Sequence, residues 1–105
     1  ARIRKNKKLG IISTAVTKKD LERCQAAPDD LEGIANFLNS VPDAKTSLVL
    51  SERDNNEIKG SLRTLHDDID VSKLAATLGG GGHKKAAGFT IPGRIVNEAG
   101  KWRIV

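Results

Sequence analysis

The residues of this sequence whose types and spacing most plainly suit chemistry are four consecutive glycines and a histidine, Gly79-Gly80-Gly81-Gly82-His83. An ordered glycine costs about 0.5–1 kcal/mol relative to alanine, and a small domain has only about 5–15 kcal/mol of net stability. A run of four needs a reason. Close approach of the backbone to a ligand is one, because without Cβ atoms several N–H groups can converge on a single anion. Lys84 to Ala87 suits one helical turn, whose free N–H groups and positive dipole end would add to the attraction. His83 stands at the junction, able to donate to a phosphate oxygen and to carry charge when protonated. The competing explanation is a flexible loop with an incidental histidine. The small residues Ala86-Ala87-Gly88 and the cations Lys84 and Lys85 favour the anion site.

Two named phosphate motifs are excluded. A P-loop needs Gly-Lys followed by Ser or Thr, and no such step occurs. A dinucleotide fingerprint needs a third small residue at an offset that falls here on Lys84, and it follows a strand rather than a helix. A second element is Ser61-Leu62-Arg63. Ser61 and Arg63 share a strand face, where an arginine can grip a phosphate through two hydrogen bonds and a serine hydroxyl can add a third. Alone, a strand arginine is ordinarily just solvated. His66-Asp67-Asp68 is expected to be a turn. His66 and His83 have no recognisable ligand spacing and Cys24 is remote, so no tightly held metal is expected. As the only cysteine, Cys24 excludes an internal disulfide and fits a reducing cytoplasm. Nothing around it activates the thiol.

The elements that must position these residues follow from periodicity. Leu9 to Val16 predicts a first strand. Thr17-Lys18-Lys19-Asp20 has the spacing of a capping box and predicts a short helix through about Arg23. Asp29 and Glu32 repeat the helix-start pattern, and Leu31, Ile34, Ala35 and Leu38 form an apolar stripe ending near Ser40. Thr46 to Glu52 and Glu57 to Thr64 predict a hairpin turned at Asp54-Asn55-Asn56, since Asn and Asp tolerate positive φ. In its second strand Ile58, Gly60 and Leu62 point one way, and Lys59, Ser61 and Arg63 the other. Asp70 or Ser72 caps a further helix whose stripe is Val71, Leu74, Ala75 and Leu78, stopped at Gly79. Phe89 to Ile91 and Trp102 to Val105 complete the strands. The fold class is α/β, a single small domain with a mixed β-sheet of about five strands flanked by helices.

The chain of 105 residues is 38% hydrophobic and 30% charged, the balance of a soluble globular domain. No apolar run approaches the ~20 residues of a membrane span, and no signal peptide is visible, so a cytoplasmic location is expected. The net charge of +5 suits a polyanionic partner. Much of it lies in Arg2, Arg4, Lys5, Lys7 and Lys8. Residues 1–8 are expected to be a basic linker; the alternative is a basic arm that helps hold a phosphate chain.

Taken together, Ser61-Leu62-Arg63, Asp70-Val71-Ser72 leading a helix with Ala75, Gly79 to His83, and Ala86-Ala87-Gly88-Phe89 resemble the DHHA1 domain, the C-terminal part of DHH-type phosphoesterases. The resemblance runs from about Leu9 to Ile91, and residues 9–105 are taken as the domain. It implies that Arg63, Gly81, Gly82 and His83, with Ser61 and Gly80 as weaker correspondences, contact substrate. It also implies that an N-terminal DHH domain, absent here, holds two divalent metals, usually manganese. The implied partners are that domain and a nucleotide or short oligonucleotide. The parent would be a phosphodiesterase or phosphatase hydrolysing oligonucleotides, nucleotide phosphates or related esters, and the chain alone would be inactive. One alternative is an RNA-binding module such as the C-terminal domain of an alanyl-tRNA synthetase, although aromatics for stacking are scarce. Another is a structural or homodimerising module that uses the edge near Val105.

Overall fold

A computed structural model describes residues 3–6, 8–20, 28–98 and 101–105, with backbone alone for 28–32. The expectations for Arg2, Lys7 and Cys24, and for the helix beyond residue 20, lie outside the described residues.

Six strands form one sheet. They are β1 (Arg4–Asn6), β2 (Ile11–Val16), β3 (Thr46–Arg53), β4 (Glu57–Thr64), β5 (Gly81–His83) and β6 (Ala86–Pro92), in the order β1-β2-β3-β4-β6-β5. β2 and β3 are parallel and every other neighbouring pair is antiparallel. A parallel pair needs a crossover, and the helical segment between β2 and β3 supplies it. Its start is the expected capping box: Thr17 N–H donates to Asp20 Oδ2 at 2.9 Å, and Asp20 N–H to Thr17 Oγ1 at 3.2 Å. Helix α1 (Pro28–Asn39) follows, with proline at its first turn, where the missing N–H costs nothing.

The two faces of the sheet have separate cores. On one, Ala35 and Leu38 of α1 bury against Ile12 and Val49. On the other, helix α2 (Val71–Thr77) packs Val71 and Ala75 onto Leu50, Ile58, Leu62, Ala87 and Phe89. A second sheet, the hairpin of β7 (Ile95–Glu98) and β8 (Lys101–Ile104), adds Ile95 and Trp102 to that core. The fold is thus the expected α/β mixed sheet with flanking helices, with six strands in the main sheet. The β3–β4 hairpin has the expected turn, with Asn55 at φ 65° and Asn56 at φ 57°.

Four details depart from expectation. Residues 4–6, expected to lie in a linker, pair with β2, and the Arg4 guanidinium donates to the Trp102 carbonyl and stacks 4.1 Å from its ring centroid. Lys84 to Ala87 is not a helical turn. Lys84 and Lys85 are the turn of the β5–β6 hairpin, and their carbonyls accept from Val71 N–H (2.8 Å) and Thr64 N–H (3.0 Å), which pins the turn to the preceding loop. β7 has no counterpart among the expected strands. The α2 stripe is narrower than its periodicity, since Leu74 and Leu78 stay 44% and 47% exposed.

Candidate functional site

Antiparallel register decides what shares a face, because paired residues point to the same side. Arg63 of β4 pairs with Ser47 of β3 and Ala86 of β6, and Ala86 pairs with His83 of β5. Ser61 likewise pairs with Gly88, and Gly88 with Gly81. Arg63, Ser61, Gly81 and His83 therefore lie on one face of the β4-β6-β5 half of the sheet, on a floor of Ala86 and Gly88. Buried Ile12 and Val49 place α1 over β2 and β3 on this face, whereas Gly81 and His83 are exposed and Arg63, Ser61, Ala86 and Gly88 half-buried. Two strand spacings, about 9–10 Å, separate the Arg63 and His83 backbones. Arg63 Nη1 donates to the Leu62 carbonyl at 3.2 Å, which steadies the side chain along its own strand. Lys59 and Thr90 extend the same face; alternation sets Lys59 beside Ser61, and β6 brings in Thr90.

The four glycines have different reasons to be glycine. Gly79 takes φ +81° as the chain leaves α2. Gly80 donates to the Ala75 carbonyl at 2.8 Å, and a Cβ there would overlap the Gly88 carbonyl oxygen. Gly82 takes φ +148°, and its Cβ would come within 2.6 Å of Ala87 Cα. It faces the core side, so its backbone is what it can offer a ligand. Gly81 has neither constraint: its φ lies outside the left-handed region, and a Cβ would meet nothing within 4 Å. The helix dipole expected at His83 is absent, since a hairpin turn follows it. β5 is instead the last strand of the sheet, with none on its outer side among the described residues.

The loop beneath this end is fixed by short polar links. Asp70 caps α2 by accepting from Ser72 N–H at 3.0 Å, and Ser72 Oγ also donates to it. The Ser72 hydroxyl, and then its backbone N–H, hold the Asp70 carboxyl below its ordinary value. Lys85 Nζ lies 2.6 Å from Asp67 Oδ1, and that hydrogen bond and charge likewise lower Asp67.

His66-Asp67-Asp68 is the expected turn. Among the described residues, no group of three or more His, Cys, Asp or Glu could hold a metal ion. The described residues do not fit a two-metal centre. No helix among them is long and apolar enough to cross a membrane.

The chain belongs to the DHHA1 domain family, whose model matches residues 6–101. It is 36% identical over 81 residues to the bifunctional oligoribonuclease and PAP phosphatase NrnA of Mycoplasma genitalium, covering 77% of this chain and 24% of that protein. It is 57% identical over 35 residues to the oligoribonuclease NrnB of Bacillus subtilis, covering 33% of this chain and 9% of that one. An exopolyphosphatase-related protein from Bacteroides fragilis superimposes with a TM-score of 0.74 at 28% identity, over 83% of this chain and 25% of that one. The pGpG-specific phosphodiesterase PggH of Vibrio cholerae shares the fold, with a TM-score of 0.54 at 13% identity, over 87% of this chain and 30% of that one. The chain thus spans less than a third of the length of each.

Proposed function

We propose that this domain binds the substrate of a DHH-type phosphoesterase, holding a phosphate of a nucleotide or short oligonucleotide on the β4-β6-β5 face. The observation that carries it is Gly81. It is the one glycine of the run that neither backbone conformation nor packing requires, and it lies on the same face as Arg63 and His83, two residues before His83 on β5 and across Gly88 from Ser61. Arg63 offers a planar fork of donors to the phosphate, Ser61 a hydroxyl and His83 a ring N–H. The bare backbone of Gly81 and Gly82 lets the anion lie close. Oriented donors of this kind position a phosphoryl group and offset its charge. The metals and the attacking water then belong to an N-terminal DHH domain of the parent protein. The names of the relatives, an oligoribonuclease and a PAP phosphatase among them, support this substrate class.

Calorimetric titration with a 5′-phosphorylated RNA dinucleotide tests the assignment. Wild type binds, and an Arg63→Ala, His83→Ala double variant binds at least tenfold more weakly at an unchanged thermal midpoint. Equal affinity in the two proteins overturns it. The purified chain with manganese hydrolyses none of the dinucleotide; metal-dependent turnover would place chemistry in this domain after all.

A further inference from the structure

The sheet end that carries Arg63 also carries a depression of about 540 Å³, lined by Lys8, Gly10, Asp43, Ala44, Lys45 and His66. Its walls are fixed by the fold. Gly10 takes φ +70°, and its carbonyl accepts from Lys45 N–H at 2.7 Å and Thr46 N–H at 3.0 Å. A Cβ on Gly10 would come 2.9 Å from Lys45 Cγ, so the lysine stem lies along this glycine. The buried Thr64 hydroxyl donates to the Lys45 carbonyl at 2.7 Å and accepts from His66 N–H at 3.1 Å. One threonine thereby sets the backbone from which Lys45 and His66 project.

The lining brings two lysines and a histidine to one depression. Lys8, Lys45 and His66 are exposed and form no ion pair among the described residues, and Asp43 is the single carboxylate of the lining. Lys45 stands two residues before Ser47, the cross-strand partner of Arg63. Such diagonal neighbours lie about 7–8 Å apart, so the depression adjoins the Arg63 end of the glycine face.

We propose that this depression is a second phosphate subsite. It takes a further phosphate of a chain whose first phosphate lies at Gly81, and so favours ligands with several phosphates over mononucleotides and dinucleotides. The inference rests on the phosphate assignment of the Gly81 face. The chemistry it recognises is a phosphate chain, supplied by single-stranded oligonucleotide or by inorganic polyphosphate.

The test compares a 5′-phosphorylated RNA dinucleotide with a pentanucleotide on wild type, on a Lys8→Gln, Lys45→Gln, His66→Gln triple variant and on the Arg63→Ala, His83→Ala double variant. Glutamine keeps most of the stem that packs on Gly10. The triple variant loses about tenfold in pentanucleotide affinity and keeps its dinucleotide affinity. Its salt dependence is shallower by about 0.7 for each phosphate it no longer neutralises. An unchanged pentanucleotide affinity, or an equal loss for both ligands, overturns the subsite. Lys8→Gln alone, at an exposed turn position, reproduces the pattern at smaller amplitude should the triple variant fail to fold. If the double variant binds the dinucleotide like wild type while the triple variant still loses the pentanucleotide, the Gly81 assignment falls and the depression stands. Competition by a five-phosphate inorganic chain as strong as by RNA identifies phosphate alone as the determinant. Weak competition, with RNA bound, identifies nucleic acid; either result supports the subsite.

Discussion

Alanine substitution separates the roles of neighbouring glycines. Gly81→Ala adds a methyl in open space, so its stability stays within about 0.5 kcal/mol of wild type. On the proposed assignment the same methyl would crowd the phosphate, and dinucleotide binding should weaken. Gly80→Ala meets the Gly88 carbonyl, and Gly82→Ala meets Ala87 Cα at a φ of +148°. Each should cost about 1–3 kcal/mol in denaturant unfolding. Loss of stability at Gly81, or none at Gly80 and Gly82, would refute this division. Ser47 gives the opposite case. Its side chain is fully buried beside Arg63, and its Oγ has no hydrogen-bond partner among the described residues. Ser47→Ala removes an unsatisfied acceptor and donor, and should raise stability by about 1 kcal/mol. At this scale the sequence is informative about membership of the site. Alternation alone places Arg63 and Ser61 on one face. It cannot show that Gly80 and Gly82 are demanded by packing, because Ala87 and Gly88 meet them only once β6 pairs with β5.

At the scale of elements, legibility follows local signals. The Thr17–Asp20 capping box, the Asp54-Asn55-Asn56 turn and the β4 alternation are written in adjacent residues, and the structure has them. The β5–β6 hairpin escapes notice because its turn is Lys84-Lys85, without the Asn-Gly or Asp-Gly that marks a two-residue turn. Lysine and alanine favour helix in isolation. What overrides that preference is non-local, two hydrogen bonds from Val71 and Thr64 to the turn carbonyls. The residues of β1 read as linker because three exposed polar residues bear no pattern; only pairing with β2 reveals the strand. Gly60 in β4 illustrates a further long-range demand. A Cβ there would overlap the Phe89 ring on β6, so Gly60→Ala should destabilise by about 1–3 kcal/mol through a displaced aromatic.

For the molecule as a whole, the loop joining β4 to α2 responds to acid. Asp67 and Asp70 both titrate below their ordinary 3.8, so the stability they contribute is complete above that pH. It is lost as pH falls through their lower folded values. Because Thr64 and Val71 hold the Lys84-Lys85 turn from this loop, acidification should loosen the hairpin that carries His83. Amide exchange at Thr64 and Val71, corrected for its intrinsic pH dependence, should rise below pH 3.8 before global unfolding. An Asp67→Asn, Asp70→Asn variant should show a flatter response. Identical acid profiles in the two proteins would contradict it.

The clasp between Arg4 and Trp102 has an optical consequence. The chain has one tryptophan and no tyrosine, so its near-ultraviolet emission is dominated by this buried ring with a guanidinium over its face. The first strand and the last thus report together in one spectrum. When β1 peels from β2, the indole loses its cationic lid and gains water, and the emission should move to longer wavelength while the rest of the sheet stays folded.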